Sequence, residues 1–326
     1  MGTNLIGAIQ ELLGEAATPD IIEAWTLAYE FLADILIAQE ADLYTRQQQQ
    51  HGWQDFAPFR VVRKEQESEV IQSFYLEPLN NGMPSPADPP FQAKHQPGQF
   101  LTLRIPTNDG STTMRNYSIS VPTGQPHYRI SVKHEAALHD QAPHGIVSDY
   151  LHKQVGVGDT IDVGPPCGNF VLDEQAAQHR PLVLLSAGVG ITPILSMLHT
   201  AVLRDSTEPI YFIHAARNGQ VHAFADEVAQ LAQRHPRVHT YTCYDQPTEA
   251  DQVHGRFDHT GQVTLPLLQR TLPSADADFY FCGPKIFMRN VKQALTDWGV
   301  EPKRIRFEWF GPAEDLDKTN TGMCPV

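Results

Sequence analysis

Residues 182–198 read LVLLSAGVGITPILSML. An apolar run, expected to be a buried strand, leads into a turn with Gly188 and Gly190, and a segment with helical spacing follows. Thr192 is placed to cap this helix, and Pro193 fits its first turn. The glycines let backbone amides approach a ligand, and a helix N-terminus favours an anion such as a pyrophosphate. Pro193 replaces the third glycine of Gly-x-Gly-x-x-Gly, and such turns are often purely structural, so alone this one leaves phosphate binding open.

A second turn of the same kind lies in residues 279–288, FYFCGPKIFM. A predicted strand ends at Cys282 and Gly283, and Pro284 opens a helix. From Arg180 onwards strands and helices alternate, which is typical of a mostly parallel sheet with helices on both faces. Ligands of such sheets bind beyond the carboxyl ends of the strands, so the two turns together predict a dinucleotide site. We interpret the thiol of Cys282 as a packing group and not as a nucleophile.

The chain between residues 59 and 172 has a different pattern. Short alternating segments such as FRVVRKE, QFLTLRI and YRISVKHE are separated by Gly and Pro. This pattern predicts a small antiparallel barrel.

One barrel segment, residues 114–120, reads MRNYSIS. A strand places alternate side chains on opposite faces, so Arg115 and Tyr117 share one face and Asn116 and Ser118 share the other. An ordinary strand would have apolar residues on one of these faces. A cation, an aromatic ring and a hydroxyl in fixed order indicate instead that this strand contacts a flat ligand with an anionic part.

A third helix start lies in the segment HGIVSDYLH, residues 144–152. The run Gly145, Ile146, Val147 and Ser148 offers backbone amides to a further phosphate. Taken alone, this segment is better read as an ordinary capped helix between two strands.

The N-terminal residues 1–45 are predicted to form two helices. Gly14 ends the first, and Thr18, Pro19 and Asp20 begin the second. The polar residues 46–56, RQQQQHGWQDF, are either a linker or the tail of the second helix. Two helices bury little surface by themselves, so they need the rest of the chain, a partner or a missing segment to pack against.

The composition argues against several classes of protein. With 24 Lys and Arg against 38 Asp and Glu, the net charge is −14, which disfavours nucleic-acid binding. No apolar run approaches the ~18 residues of a membrane span, and there is no signal peptide, so we expect a soluble, cytoplasmic protein. The 4 cysteines form no CxxC pair, so we predict reduced thiols and no zinc or iron–sulfur site.

These motifs, in their order and spacing, resemble those of the ferredoxin-reductase-like flavoproteins. The resemblance implies that Arg115 pairs with the pyrophosphate of FAD and that Tyr117 stacks on the isoalloxazine ring. It also implies that Ser118 hydrogen-bonds the ring near N5, the atom that accepts hydride. By the same resemblance, residues 145–148 form a second flavin-phosphate motif, and the two glycine turns bind the nicotinamide nucleotide.

The segments QPGQFLTLRI, HAARNGQVHAFADEV and RIRFEWFGP closely resemble the flavohaemoglobins, which are nitric oxide dioxygenases. This resemblance covers nearly the whole chain. It implies that Phe100 lies by the flavin, where the family often has Tyr, and that Glu308 tunes the flavin potential. Phe310 would stack on the ring face that nicotinamide approaches. Trp309 stands where the family often has Cys, and Ile191 where Gln is common.

The resemblance thus assigns a full set of site residues. The catalytic candidates are Ser118, Tyr117, Glu308, Phe310 and Glu40. The cofactor-binding candidates are Phe100, Arg115, Asn116, Tyr117, Ser118, Gly145, Ile146, Val147, Ser148, Gly188, Val189, Gly190, Ile191, Thr192, Pro193, Cys282, Gly283, Pro284, Trp309, Phe310, Gly311 and Pro312.

Residues 1–48 resemble the last two helices of the family's globin domain, so we expect a multidomain chain. This globin remnant is followed by an antiparallel β-barrel FAD domain, residues 56–172, and an α/β parallel-sheet NAD(P)-binding domain, residues 180–316. Glu40 matches a family Glu that orients the proximal His of haem, but the first His here is His51, beyond both helices. We therefore expect Glu40 to be a solvated residue, and the chain alone not to hold haem as the intact family does.

The expected activity is that of an NAD(P)H-dependent FAD oxidoreductase resembling the reductase part of nitric oxide dioxygenase. Hydride passes from NAD(P)H to FAD, and single electrons then pass to haem, as in the intact family that makes nitrate from NO and O2, or to a small-molecule acceptor. Two alternatives remain open: a reductase for a separate acceptor protein such as a globin domain, and a non-catalytic partner-binding fragment. The choice between NADH and NADPH also remains open, because Arg217, which follows the second strand, is either a 2′-phosphate contact or a plain surface residue.

Overall fold

The computed structural model describes residues 2–79, 91–107, 110–135, 145–173, 179–204 and 206–310. The chain divides into two compact units, Met1–Asp55 and Phe56–Val326. No helix in the described ranges is long and apolar enough to cross a membrane.

The first unit consists of helices α1 (Gly2–Leu13) and α2 (Pro19–His51). Thr18 is the N-cap of α2, in extended backbone and with Pro19 after it, as the sequence predicts, although its side chain makes no capping bond. The segment after residue 45 is helical as far as His51, and Gly52 ends the helix with a φ of 93°. No described residue of either helix is buried.

The second unit begins with an antiparallel sheet. Its strands are β1 (Ala57–Gln66), β2 (Ile71–Pro78), β3 (Phe100–Pro106), β4 (Thr112–Ser118), β5 (Tyr128–Lys133) and β6 (Thr160–Val163), with helix α3 (Ile146–Lys153) before β6. The order is β4-β3-β6-β1-β2-β5. A bridge between Ile119 and Ile130 joins the end of β4 to β5, which brings the two edge strands together. The alternating pattern that predicted a barrel arises because inward side chains such as Phe59, Val61 and Leu103 are fully buried.

The second unit continues with a parallel sheet that is covered by helices. Its elements are β7 (Leu182–Ala187), α4 (Ile191–Val202), β8 (Ile210–Ala216), α5 (Ala225–Arg234), β9 (Val238–Tyr244), α6 (Glu249–His254), β10 (His259–Thr260), α7 (Leu265–Thr271), β11 (Asp278–Gly283), α8 (Lys285–Asp297) and β12 (Ile305–Trp309). The strand order is β10-β9-β8-β7-β11-β12, with every pairing parallel.

Both faces of the parallel sheet are buried, which explains the continuous apolar run in β7. Leu182 and Leu184 belong to the hydrophobic cluster that includes α4 and α5. Val183 and Leu185 belong to the cluster on the other face, with α7 and α8. The chain leaves β7 towards β8 on one side, and β11 pairs with β7 on the other, so a crevice opens beyond the carboxyl end of β7.

Candidate functional site

The two glycine turns lie against each other at the carboxyl edge of the parallel sheet. A Cβ atom on Gly190 would lie 2.3 Å from the carbonyl oxygen of Cys282 and 2.6 Å from the amide nitrogen of Gly283. Gly283 is also confined, because its Cβ would lie 2.7 Å from the ring of Phe287 and 3.0 Å from the Cβ of Ala187. Both glycines are therefore needed for the close approach of the turns, which lie far apart in the sequence.

Gly188 has a different role from Gly190. Its φ is +52°, a conformation that side chains rarely adopt, and its Cβ position faces open space. An exposed backbone of this kind lets a ligand approach closely. The first turn thus combines one glycine that packs against protein with one that leaves room for a ligand.

The prediction that Thr192 caps the following helix is wrong. The N-cap residue of α4 is Gly190, and Thr192 is already the second helical residue. The Thr192 hydroxyl donates to the carbonyl oxygen of Val189 at 3.0 Å, because a short 3-10 turn, Gly188–Gly190, shifts the helix start. Pro193 lies in the first turn, as predicted.

A cleft of about 380 Å³ opens beside these turns. The parallel-sheet domain lines it with residues from the ends of β7, β8 and β9 and from the start of α8, and the barrel contributes Val70, Ile71 and Lys133. Arg217 lies in this lining and is exposed. Sequence reasoning missed Lys133 and also Asn290 of α8, because no local pattern shows that residues of two domains meet at one cleft.

The predicted flavin strand, β4, carries an exposed cation, the guanidinium of Arg115. Arg115 lies opposite Leu103 of β3, and its side chain is exposed. Its Nη1 donates to the carbonyl oxygen of Met114 at 2.7 Å and to Thr113 Oγ1 at 3.3 Å. Within the described ranges no carboxylate forms an ion pair with Arg115, so the guanidinium has donors left for an anion.

The next residues of β4 become less exposed along the strand: Asn116 is exposed, Tyr117 is half-buried and Ser118 is buried. Asn116 is held by Thr102, whose hydroxyl donates to its side-chain oxygen at 2.9 Å. Burial raises the pKa of the Tyr117 phenol, which keeps it protonated. Ser118 is opposite Phe100 and only 5% exposed, and its Oγ has no hydrogen-bond partner in the described structure. A buried hydroxyl without a partner is unusual in a folded protein and indicates a ligand position.

The start of α3 is held by the fold itself. Ser148 Oγ donates to the carbonyl oxygen of Gly145 at 3.0 Å and accepts from the amide of Glu135 at 3.2 Å. Val147 is buried, whereas the apolar side chain of Ile146 is 65% exposed. The Ser148 side chain of this motif therefore bonds within the protein. The exposed Ile146 side chain and the backbone amides at the helix start are the groups that could contact a ligand.

Glu308 of β12 is paired in register with Cys282 of β11. Burial raises the pKa of the Glu308 carboxyl to about 7, and its Oε2, like the Trp309 indole nitrogen, is buried without a partner among the residues described. Burial, with a smaller contribution from Glu308, raises the pKa of the Cys282 thiol, so it stays protonated and unreactive. Phe310 is 43% exposed. Gly311 and Pro312 lie outside the described residues.

Glu40 lies away from all of these residues in sequence, on α2. It is exposed, and its Oε1 accepts a hydrogen bond from the hydroxyl of Tyr44 at 3.0 Å. In the part of the chain that the structure describes, no group of three or more His, Cys, Asp or Glu side chains could hold a metal ion.

Two family models match the chain. An oxidoreductase FAD-binding domain matches residues 89–172, and an oxidoreductase NAD-binding domain matches residues 184–293. A curated relative, the flavohemoprotein of Rhodopirellula baltica, is 46% identical over 317 residues, which are 97% of this chain and 76% of the relative.

Solved structures give the same result. The FAD/NAD-binding domain of a nitric oxide dioxygenase from Vibrio cholerae is 34% identical, with a TM-score of 0.67 over 79% of this chain and 100% of that one. The flavohemoglobin of Malassezia yamatoensis, which has bound FAD and heme, is 27% identical, with a TM-score of 0.72 over 94% of this chain and 73% of that one.

Proposed function

Because this chain belongs to the flavohaemoprotein family, as an NAD(P)H-dependent flavin oxidoreductase, we propose that it passes hydride from NAD(P)H to FAD at the edge between its barrel and its parallel sheet. The family, the fold class and the two cofactors inferred from the motifs are confirmed. The role of each side chain, the electron acceptor and the location in the cell are parts of what we propose.

The observation that carries this function is that Ser118 and Glu308, both candidate site residues, each have a buried polar atom without a partner in the described structure. Ser118 Oγ and Glu308 Oε2 belong to different sheets, and each lacks a hydrogen-bond partner within the described part of the chain. Leaving such groups unsatisfied costs about 1–3 kcal/mol each. A polar-edged ring bound against β4 would satisfy the Ser118 hydroxyl and cover the carboxyl of Glu308, which fits FAD.

The residues of β4 fit the parts of FAD in order. Arg115 would hold the pyrophosphate, since its guanidinium is exposed and has donors to spare. The neutral phenol of Tyr117 would stack on the isoalloxazine ring, and Ser118 would donate to its edge. The amides of residues 146–148 would meet the phosphate from a second side, with Ile146 against the ligand, because the Gly145 amide already donates to the carbonyl oxygen of Glu135 at 3.0 Å.

The nucleotide substrate would bind across the turns of the parallel sheet. Gly188 would let the pyrophosphate approach the backbone, and the N-terminus of α4 favours its charge. The residues from Cys282 to Pro284 would border the nicotinamide, and Phe310 would move aside when the nicotinamide approaches. Arg217, exposed in the cleft, would contact the ribose or 2′-phosphate end, so both NADH and NADPH remain substrates in this proposal.

When bound, FAD supplies the hydride acceptor and releases electrons one at a time. The protein's own groups then orient the reactants. Ser118 would fix the acceptor edge, and Glu308, with its pKa near neutrality, would hold a proton beside the site at pH 6 and lose it above pH 8.

The N-terminal unit does not fit a haem in the described residues. Its one histidine is His51, which ends α2 and stacks edge-on at 6.0 Å from the ring of Trp53. Glu40 bonds to Tyr44 instead of orienting an imidazole. We therefore propose small molecules, or a separate globin domain or acceptor protein, as the electron acceptors. The cytoplasm is the proposed location, supported by the free, buried thiols of Cys243 and Cys282.

An absorption spectrum of the purified protein, before and after anaerobic NADH, tests this function. We expect flavin bands that bleach on mixing. Protein that is folded but holds no flavin after reconstitution with FAD would contradict the reductase and favour a partner-binding fragment. A Soret band with stoichiometric iron would contradict the acceptors proposed here and make dioxygenase activity testable.

A further inference from the structure

The helix that carries the nucleotide glycines is bonded to the chain segment that follows the flavin strand. Ser196 of α4 is fully buried, and its Oγ donates to the carbonyl oxygen of Val121 at 2.8 Å. Val121 lies three residues beyond Ser118. The contact therefore ties α4, which starts at the nucleotide turn, to the backbone next to the proposed flavin contact.

A partly buried ion pair makes the same connection a second time. Arg129 of β5 is 5% exposed, and its two terminal nitrogens donate to the two carboxylate oxygens of Glu227 on α5, at 2.9 and 3.0 Å. The same guanidinium donates to Ser120 at Oγ, 2.9 Å, and at the carbonyl oxygen, 2.6 Å. His199 of α4 lies 2.5 Å from Glu227 Oε1, so both helices share this carboxylate.

A strained residue lies at the same contact. Phe224, just before α5, has a φ of 63°, which is rare for an aromatic residue. It is 4% exposed, and the Arg129 guanidinium lies 4.8 Å from the centre of its ring. Strained backbone persists where surrounding contacts determine it, and such residues cluster at functional positions.

We propose that Arg129, Glu227 and Ser196, here called the interdomain clamp, are positioning residues that set how closely the nicotinamide approaches the flavin. This inference rests on the proposed function. The barrel and the parallel sheet are separate sheets in the described structure, so no strand pairing fixes their distance. A shared hydrophobic cluster that includes Ile71 and Phe170 joins them, and the clamp adds directional bonds beside Ser118 on one side and along α4 on the other. Misplacement of reacting groups by about 1 Å can slow a reaction ~100-fold.

The test uses the full chain loaded with FAD and two variants, Glu227→Gln and Ser196→Ala. Anaerobic stopped-flow mixing with increasing NADH separates the limiting rate of flavin reduction from the apparent Kd for NADH. We expect each variant to lower the limiting rate about tenfold or more and to change the Kd by less than about threefold, because geometry and not nucleotide contact is lost. Ser196→Ala removes only a neutral hydroxyl, so the limiting rate can be measured in this variant even if Glu227→Gln fails to fold.

A second readout does not depend on catalysis. Amide hydrogen exchange at residues 118–121 should become faster in both variants, with or without NADH. The matched control is Asp162→Asn, which breaks an ion pair with Arg104 of 2.8 Å that lies wholly within the barrel. This control should change neither the limiting rate nor the exchange at residues 118–121.

Wild-type reduction rates in both variants would overturn the clamp, as would a loss confined to the Kd, which would make these residues part of the nucleotide site only. Failure of NADH to bleach the wild-type flavin would instead refute the proposed function, and the exchange of residues 118–121 would still decide whether the clamp orders the flavin strand.

Discussion

At the scale of single residues, substitution of Ser118 distinguishes a role in contacting the ligand from a role in packing. Its buried Oγ has no partner among the described residues, so Ser118→Ala should not lower the free energy of unfolding of the flavin-free protein and should raise it by up to about 1–3 kcal/mol. The lost contact to the flavin should slow reduction by NADH about tenfold, equivalent to about 1.4 kcal/mol in the barrier. Stopped-flow absorbance measures the rate.

The control for Ser118 is Ser73→Ala. Ser73 is fully buried in the same barrel, and its Oγ is bonded to Ser131 Oγ at 2.8 Å. The Ser73→Ala substitution should lower the free energy of unfolding by about 1 kcal/mol and leave the rate of flavin reduction unchanged. Equal rates in wild type and Ser118→Ala would remove Ser118 from the site.

Glu308 gives a pH-dependent prediction for the flavin-free protein. Its pKa is about 7 in the folded state against 4.5 ordinarily, so the folded state keeps a proton that the unfolded chain releases between these pH values. Stability from this group is present below pH 4.5 and is lost as pH rises through 7. Glu308→Gln should therefore stabilise the protein at pH 8, by at most about 3 kcal/mol, and should have little effect at pH 4. Urea unfolding at the two pH values checks this, and an equal effect at both would contradict it.

At the scale of elements, the two glycine turns form one unit. Gly190→Ala would place a methyl group 2.3 Å from the Cys282 carbonyl oxygen, so the turns must move apart. We expect a loss of about 1–3 kcal/mol in stability and weaker nucleotide binding, measured by thermal unfolding and by NADH titration. Gly156→Ala is the control, because its Cβ would lie no closer than 3.7 Å to any neighbour. Full nucleotide affinity in Gly190→Ala would show that the turns do not act together.

Two stacked histidines, one on β8 and one in the segment before α5, were not revealed by the sequence pattern. The rings of His214 and His222 lie 4.5 Å apart, with Ser186 Oγ 2.8 Å from the first and the Tyr244 hydroxyl 2.9 Å from the second. Burial lowers the pKa of His222 to about 4, and that of His214 well below its usual value. Asp226 and Asp251 act on His222 in the opposite direction.

Because these imidazoles stay neutral in the folded state while the unfolded chain takes up protons below about pH 6.5, stability is full above that pH and falls on acidification towards pH 4. His222→Gln should reduce this slope by up to about 1.4 kcal/mol per pH unit. Unfolding midpoints between pH 5 and 7 measure it, with exposed His239→Gln as the control. An unchanged slope in His222→Gln would show that His222 is not buried neutral.

At the scale of the whole molecule, the two compact units differ in how they are stabilised. No described residue of α1 or α2 is buried, and Leu12 and Phe31 are 88% and 70% exposed. The second unit has a core on each face of its parallel sheet. The match to the Vibrio cholerae structure covers the whole of that structure but only 79% of this chain.

We therefore expect that removing residues 1–55 leaves FAD retention and the rate of flavin reduction unchanged, and that amides of α1 and α2 exchange much faster than those of β7 and β11. Hydrogen exchange with mass spectrometry and the spectral test measure both. Loss of flavin from the shortened protein would show that the helices contribute to the reductase.

The sequence by itself determined the classes of structure and the position of the motifs. Alternation, apolar runs and turn residues act over a few neighbours, so they encode strands, helices and the glycine turns locally. For the same reason the cap of α4 was predicted wrongly at Thr192, because the 3-10 turn Gly188–Gly190 places the N-cap two residues earlier, at Gly190. The family resemblance then supplied roles for Arg115, Tyr117 and Ser118 that no local pattern contains.

Only the tertiary structure decided what the side chains meet. Packing brings Gly190 onto Cys282, joins Arg129 to Glu227 across two domains, and buries Glu308 so that its carboxyl titrates near neutrality. It also shows that Ser148 is used within the fold, while Ser118 is left without a partner in the described residues. These facts depend on contacts between residues that are distant in the chain. Burial shifts the pKa values and leaves polar atoms without hydrogen-bond partners, and it arises only when those contacts form.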